Sequence, residues 1–363
     1  MIRFLAPLLG IVAGVHPLPL ELSPEIAVVE VLLDGAIVGR VGRDEAPLSV
    51  DLGAGPRTHR IEAIAYRADG SEAGRVREWV NLPAIPEIAT GPPRTPVPIV
   101  VAEGRLDSAA LNGAIRADGR PVAPQAVSGG EARVVVVLDR TAESKLRETA
   151  RQLEEALEKS RARARGDESL EGTLPALRLL GREGRVTVIW ASAEEVAQSP
   201  AARYDLFATA PFVDPEEGEV GFSFLLARAA PPAIPDRIAD AVCAAGWLAV
   251  SQSSARVVVL IVDPQSVDGS QFGAEAAREY LADLRVPLRI WSTAPETEAL
   301  QRQWGRVEDV SSTELLAAAI GRLDEALESQ RVVWLDGLWL PREISLAPGV
   351  IGLALAGTEG PSE

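Results

Sequence analysis

The sequence holds one cysteine, Cys243, and two histidines, His16 and His59, in 363 residues. A single thiol excludes an intrachain disulfide and a thiolate zinc cluster. Cys243 lies in the apolar helical run Ala239-Asp-Ala-Val-Cys-Ala-Ala245 and reads as a small buried filler. The two histidines nearly exhaust the general bases and metal imidazoles that hydrolytic chemistry uses most. Both fall in the first sixty residues, within strand and turn sequence, and read as strand or surface residues. Basic side chains are also short: 36 against 52 acidic, for a net charge of -16. That field repels nucleic-acid phosphate and anionic membrane surfaces. Past the amino end, no apolar run reaches the roughly 20 residues a membrane-spanning helix needs. Neither G-x-x-x-x-G-K-[ST] nor a strand followed by G-x-G-x-x-G occurs, so phosphate cradling lacks its loop.

What remains is a globular composition, 47% hydrophobic and 24% charged, long enough for two or three domains. From Ile2 to Leu82 the patterns are those of β structure. Val28-Val-Glu-Val-Leu-Leu-Asp-Gly35 is a strand meeting an Asp-Gly turn, and Ala36-Ile-Val-Gly-Arg-Val41 is its hairpin partner. Leu48–Leu52 and Arg60–Tyr66 alternate with period two, and Gly74–Val80 closes the set. Short strands at this spacing imply a sandwich. Arg3 followed by Phe4–Val15 has the length of a secretory leader, but Pro7, Gly10 and Gly14 interrupt it. The stretch reads instead as a first strand and turn.

Residues 84–130 are crowded with proline and glycine and read as an extended connector in which Ile99-Val-Val-Ala102 can form one strand and Ala117-Asp-Gly-Arg120 a turn, with an extra hairpin expected on a neighbouring domain. Beyond them, Arg133-Val-Val-Val-Val-Leu138 is an apolar strand buried on both faces that ends on Asp139. Arg256-Val-Val-Val-Leu-Ile-Val262 repeats the device and ends on Asp263. Further strands are expected at Arg185–Trp190, at Val286–Trp291 and at Arg331–Asp336, and Tyr204–Phe212 leads through a loop to another. Helices are expected at Leu146–Arg163, Leu174–Leu180, Ala193–Gln198, Pro235–Trp247, Gly273–Leu284 and Ser312–Ser329. Helices alternating with buried strands specify a doubly wound, mainly parallel sheet. Both aspartates then stand at its carboxyl edge, where such sheets bind ligands. The acidic loop Asp214–Glu219 reads as a solvated charge run. Ser266 and Ser270 flank Asp268-Gly269 without a histidine partner. Trp190, Trp291, Trp334 and Trp339 read as core or edge packing, with Trp339 the best contact anchor if exposed.

Gly14-Val15, Val31–Gly35 and His59–Tyr66 before Asp69-Gly70 resemble the immunoglobulin-like domains of bacterial secreted and surface proteins, which act as spacers or binding modules. The α/β part resembles a von Willebrand factor type A domain, above all in Phe272–Trp291 and Gln330–Gly337. The resemblance divides the chain into an immunoglobulin-like sandwich (1–83), the connector (84–130), a type A domain (131–345) and a tail (346–363). It implies protein binding in an extracytoplasmic setting and a metal-ion-dependent adhesion site. In that site D-x-S-x-S follows the first strand, a threonine comes from a later loop, and a second aspartate completes the oxygen ligands of a magnesium ion. Here the first motif is Asp139-Arg-Thr-Ala-Glu143: Thr141 can replace one serine hydroxyl, and Glu143 stands for the other. The threonine loop falls near Ala229–Pro235, which has no hydroxyl, and Asp263 is followed by proline instead of glycine. Arg140 adds a cation that can pair with Glu143 or Asp263 in place of the metal. The expectation is a noncatalytic binding scaffold with a degenerate site at Asp139, Arg140, Thr141, Glu143 and Asp263, and with no cofactor. The competing class is a hydrolase using Asp139, Glu143 and Asp263 around a metal.

Overall fold

Alternating apolar residues build the amino-terminal unit, and their pairing is seen in the computed structural model. It describes residues 1–4, 10–42, 48–83, 93–102, 111–129, 132–146, 152, 184–199, 202–209 and 236–358. Strands β1 (Ile2–Phe4), β2 (Val15–Leu18), β3 (Leu20–Leu22), β4 (Val28–Leu33), β5 (Ala36–Gly42), β6 (Leu48–Asp51), β7 (His59–Tyr66) and β8 (Glu72–Val80) succeed one another. A four-stranded antiparallel sheet, β5-β4-β7-β8, faces the pairs β1-β3 and β2-β6. Val29, Val31, Ile61 and Ala63 from the sheet meet Ile2, Leu18, Val50 and Leu52 in one core. The β4–β5 turn places Asp34 and Gly35 at φ 52° and 87°, the left-handed pair that a two-residue hairpin requires.

Strands β9 (Arg94–Val101), β10 (Ile115–Ala117), β11 (Arg120–Pro121) and β12 (Pro124–Ser128) follow within the region expected as a connector. The α/β unit then contributes β13 (Ala132–Leu138), helix α1 over 140–146, β14 (Gly184–Ser199), β15 (Ala202–Thr209), α2 (Ile238–Val250), β16 (Ala255–Val262), α3 (Ala274–Asp283), β17 (Leu288–Ser292), α4 (Glu298–Trp304), β18 (Val307–Asp309) and α5 (Thr313–Glu328). Its six-stranded sheet has the order β15-β14-β13-β16-β17-β18, parallel except for β15. This is the expected doubly wound architecture behind an all-β unit. The period of two along β13 sorts its side chains between faces. Val134, Val136 and Leu138 pack with Leu316, Ile320 and Leu323 of α5, whereas Val135 and Val137 pack with Val242 of α2 and Tyr280 and Leu281 of α3. Cys243 is fully buried on that second side, where burial pushes its thiol well above the usual range. No described helix is long and apolar enough to cross a membrane.

The last strand departs from expectation. β19 (Gln330–Asp336) leaves the parallel sheet and pairs antiparallel with β9 and β12, and with β21 (Leu353–Leu355) it completes the sheet β12-β19-β9-β21. β20 (Ile344–Leu346) pairs with β10. Strands β9 and β10 and the carboxyl-terminal segment thus share a further core of Val97, Ile99, Ile115, Val333, Leu335 and Ile344. Trp339 is half-buried against this core and donates its Nε1–H to the Asp336 carbonyl at 2.7 Å, so it is packed and not presented as an anchor. The helix expected at Ala193–Gln198 is strand, because β14 runs on to Ser199 in antiparallel register with β15. Cross-strand pairing outweighs the helix propensity of Ala-Glu-Glu there. α4 and β18 were not expected. Leu174–Leu180, Asp214–Glu219, Ala229–Pro235 and most of Leu146–Arg163 lie outside the described residues.

The amino-terminal unit is bonded to the rest at two places. Arg57 forks onto Asp283 of α3 at 2.7 and 3.0 Å and reaches Glu279 at 3.2 Å, while the Tyr280 hydroxyl donates to the Asn81 carbonyl at 2.8 Å. At the second place Asp34 accepts from Arg342, in the 3-10 turn Pro341–Glu343, at 2.5 Å. Tyr280→Phe keeps the ring in its core and strands the Asn81 carbonyl. It should lower stability by about 1–2 kcal/mol in urea denaturation, and an unchanged midpoint would mean that this bond contributes nothing to docking.

Candidate functional site

Parallel pairing of β13 with β16 in the register Leu138↔Ile261 brings the two strand-ending aspartates to one edge. The Asp139 amide extends the ladder to the Ile261 carbonyl at 3.1 Å, and the Asp263 amide turns back to Asp139 Oδ2 at 3.3 Å. Neither carboxylate has any exposed surface. Asp139 is also the N-cap of α1: its carbonyl accepts from Glu143 N–H at 2.9 Å and its Oδ2 from Ala142 N–H at 3.0 Å. Ser266 Oγ donates to the same Oδ2, whereas Asp139 Oδ1 is buried without a donor.

Asp263 is held differently. Lys145 Nζ, from α1, lies 2.6 Å from its Oδ2, Thr293 Oγ1 donates to that oxygen at 2.8 Å, and the Gln265 amide donates to Oδ1 at 3.0 Å. Burial pushes both carboxyls up. For Asp263 the Lys145 ammonium and the other donors outweigh burial and hold it below the usual carboxylate range. For Asp139 burial prevails, aided by the adjacent Asp236 carboxyl and opposed by Ser266 and the Ala142 amide, so it stands above that range.

Arg140 turns to the neighbouring strand instead of to Glu143 or Asp263. Its Nη2 donates to Ser192 Oγ at 3.0 Å and stands 3.9 Å from Asp236 Oδ1, while Ser192 Oγ donates to Asp236 at 3.0 Å. Thr141 is exposed and Glu143 is buried. Of the five expected edge residues, Asp139 and Asp263 are joined directly, and Arg140 reaches a third carboxylate, Asp236. The orphan amides at the start of α2 are satisfied from the loop after β16. Asp268 accepts from Ile238 and Ala239 N–H at 2.8 and 3.2 Å, and Ser270 accepts from Asp240 N–H at 3.1 Å. Asp240 in turn accepts from the Gln271 and Phe272 amides. This exchange fixes the loop and Asp236 beside Asp139.

Lys145, Ser192, Asp236, Ser266 and Thr293 were not expected at the edge. Thr293 could have been found, since it directly follows β17, whereas Ser192 lies inside β14, two residues past its last parallel pair with β13. The magnesium ion that the type A resemblance implies meets a donor set already engaged by an ammonium, two hydroxyls and backbone amides. Among the described residues no three His, Cys, Asp or Glu side chains are arranged to hold a metal. The residues present therefore do not fit a resident divalent ion.

No protein-family model and no curated protein matches the chain. Among solved structures, it is similar to proximal thread matrix protein 1 of the mussel byssus, at 10% identity and TM-score 0.33 over 55% of this chain and 49% of that one. The ArnB paralog VWA2 of Sulfolobus acidocaldarius gives 9% identity and TM-score 0.26 over 63% and 54%. The fibronectin(III)-like modules of Clostridium thermocellum CbhA give 22% identity and TM-score 0.20 over 22% of this chain and 93% of theirs. The chain thus spans about half the length of the first two.

Proposed function

We propose that the chain is a noncatalytic protein-interaction or adhesion-type scaffold that docks a protein partner on the carboxyl edge of the parallel sheet, its metal-ion-dependent adhesion site being degenerate. The observation that carries this reading is Val267, 82% exposed at the tip of a loop whose base is bonded into the core. Ser266 N–H closes a turn on the Asp263 carbonyl at 3.0 Å, Ser266 Oγ is held by Asp139, and Gly269 N–H reaches the Asp236 carbonyl at 2.8 Å. An apolar side chain presented on so rigid a base loses little freedom on binding and can act as an anchor. Thr141, Ser144 and Lys145 on α1 are also exposed and supply polar rim contacts.

The noncatalytic reading is supported by the placement of both histidines in the amino-terminal unit, where His59 is bonded to Asp34 at 2.8 Å and to the Leu52 carbonyl at 3.1 Å. The edge is left with no imidazole base, and its Ser266 hydroxyl is committed to Asp139. An extracytoplasmic setting, in a bacterial envelope or secreted, accords with the immunoglobulin-like resemblance of the β unit. A photo-crosslinking amino acid at position 267 should capture one protein partner equally with and without chelator, and Val267→Asp should weaken that partner at least about tenfold. Capture that requires a divalent ion, or a metal-dependent turnover lost in Asp263→Asn, would contradict the reading.

A further inference from the structure

Lys145 lies six positions after Asp139, on α1, with its side chain reaching back to the other strand end. Its Nζ meets Asp263 Oδ2 at 2.6 Å, and 45% of the lysine side chain remains exposed while Asp263 has no exposed side-chain surface. The cation thus enters from solvent and terminates on a buried carboxylate, the approach that a metal ion would take. Thr293 Oγ1 and the Gln265 amide hold Asp263 in place from the protein side. Asp139 beside it takes the Ser266 hydroxyl and the Ala142 and Asp263 amides on Oδ2 and adjoins the Asp236 carboxyl. Two fully buried aspartates form an oxygen-lined edge whose solvent-facing cation position is filled by that ammonium.

We propose that the Lys145 ammonium is a built-in substitute for the divalent cation of an adhesion site, so that the edge keeps one charge state whatever the metal concentration. Removing that ammonium alone opens a site for magnesium or manganese. The proposal rests on reading the edge as a degenerate adhesion site, but not on any partner. A carboxylate deprived of the lysine cation, with neutral donors around it, attracts a hard ion more strongly, and the exposed lysine arm leaves a water-accessible entry when shortened.

The test is calorimetric titration of the full chain with MnCl2 and with MgCl2, for the wild type, Lys145→Ser, and Lys145→Ser combined with Asp263→Asn. The wild type should show no saturable binding up to about 10 mM metal. Lys145→Ser should bind one manganese ion at least about tenfold more tightly than the wild type, with a matching rise in melting temperature on adding metal. The double variant should lose both effects. Lys145→Gln, which keeps the length of the arm, serves if the serine variant does not fold, and the wild-type titration stands on its own in either case. Saturable millimolar binding by the wild type that Asp263→Asn removes would overturn the proposal. So would a folded Lys145→Ser or Lys145→Gln that binds no better than the wild type. Because the titration needs no partner, its failure leaves capture at Val267 standing, and a failed capture leaves the metal result standing.

Discussion

Asp139→Ala is expected to lower the stability of the α/β unit by about 2–4 kcal/mol, whereas Asp139→Asn should cost less than about 1 kcal/mol, both followed by tryptophan fluorescence in urea. The alanine variant loses the cap of α1 and leaves the Asp263 amide and the Ser266 hydroxyl without an acceptor in a buried place. Asparagine keeps an acceptor for those donors. It also replaces a carboxyl that burial and Asp236 disfavour as an anion, and its amide can donate toward Asp236. The sign of the pH dependence follows. A carboxyl raised in the folded state adds stability fully present below its ordinary value, and that stability is lost as pH rises through the raised one. The wild type should therefore lose part of its stability on going up from about pH 4, and Asp139→Asn should flatten that slope. Equal damage from alanine and asparagine would show that the hydrogen-bond network is not what Asp139 provides.

Acid should loosen the joint between the amino-terminal unit and the carboxyl-terminal β layer. Burial pushes the Asp34 carboxyl up, but the His59 bond, the Arg60 amide and Arg342 outweigh it and bring it down to about 2. A carboxyl lowered in the folded state contributes stability that is present above its ordinary value near 3.8 and lost as pH falls through about 2. The difference is worth about 2 kcal/mol at one pH unit per 1.4 kcal/mol. Asp34→Asn should cost about that much at neutral pH and abolish the corresponding loss between about pH 4 and 2. Wild type and variant are compared by urea midpoints across that range. Parallel slopes would place the acid sensitivity elsewhere.

Much of the architecture could be read from residue patterns, and the exceptions have physical causes. Five apolar residues before Asp139 and six after Arg256 announce strands buried on both faces, and the structure places them side by side. The same kind of apolar run, Val332–Leu335, says nothing about which sheet it joins. It would be buried equally by parallel neighbours or by β9 and β12. Only the end of strand β9, from Ile99, is legible as strand, because Pro96 and Pro98 withhold donors from a ladder. The structure accommodates them through pairing: Pro98 turns its carbonyl to the Ala356 amide, so its nitrogen lies on the same side, where β21 pairs only with residues 99–101. On the opposite side β9 faces β19 along its length. The two edge aspartates were legible because each ends its own strand. Lys145 and Asp236 were not, because they join those aspartates only once the surrounding strands and helices have been brought together, and local sequence carries no trace of that convergence. The sequence shows Arg140 as a cation beside Asp139, but its partner is set by the neighbouring strand, which places Ser192 within reach.

The central claim is that a lysine, and not a metal, balances the buried aspartates at the carboxyl edge. Anomalous diffraction from crystals of the wild-type chain grown with manganese tests it most directly. The account predicts density for the Lys145 side chain in contact with Asp263 and no anomalous peak within coordinating distance of Asp139 or Asp263. A manganese peak bound by those two carboxylates, with Lys145 swung away, would contradict it.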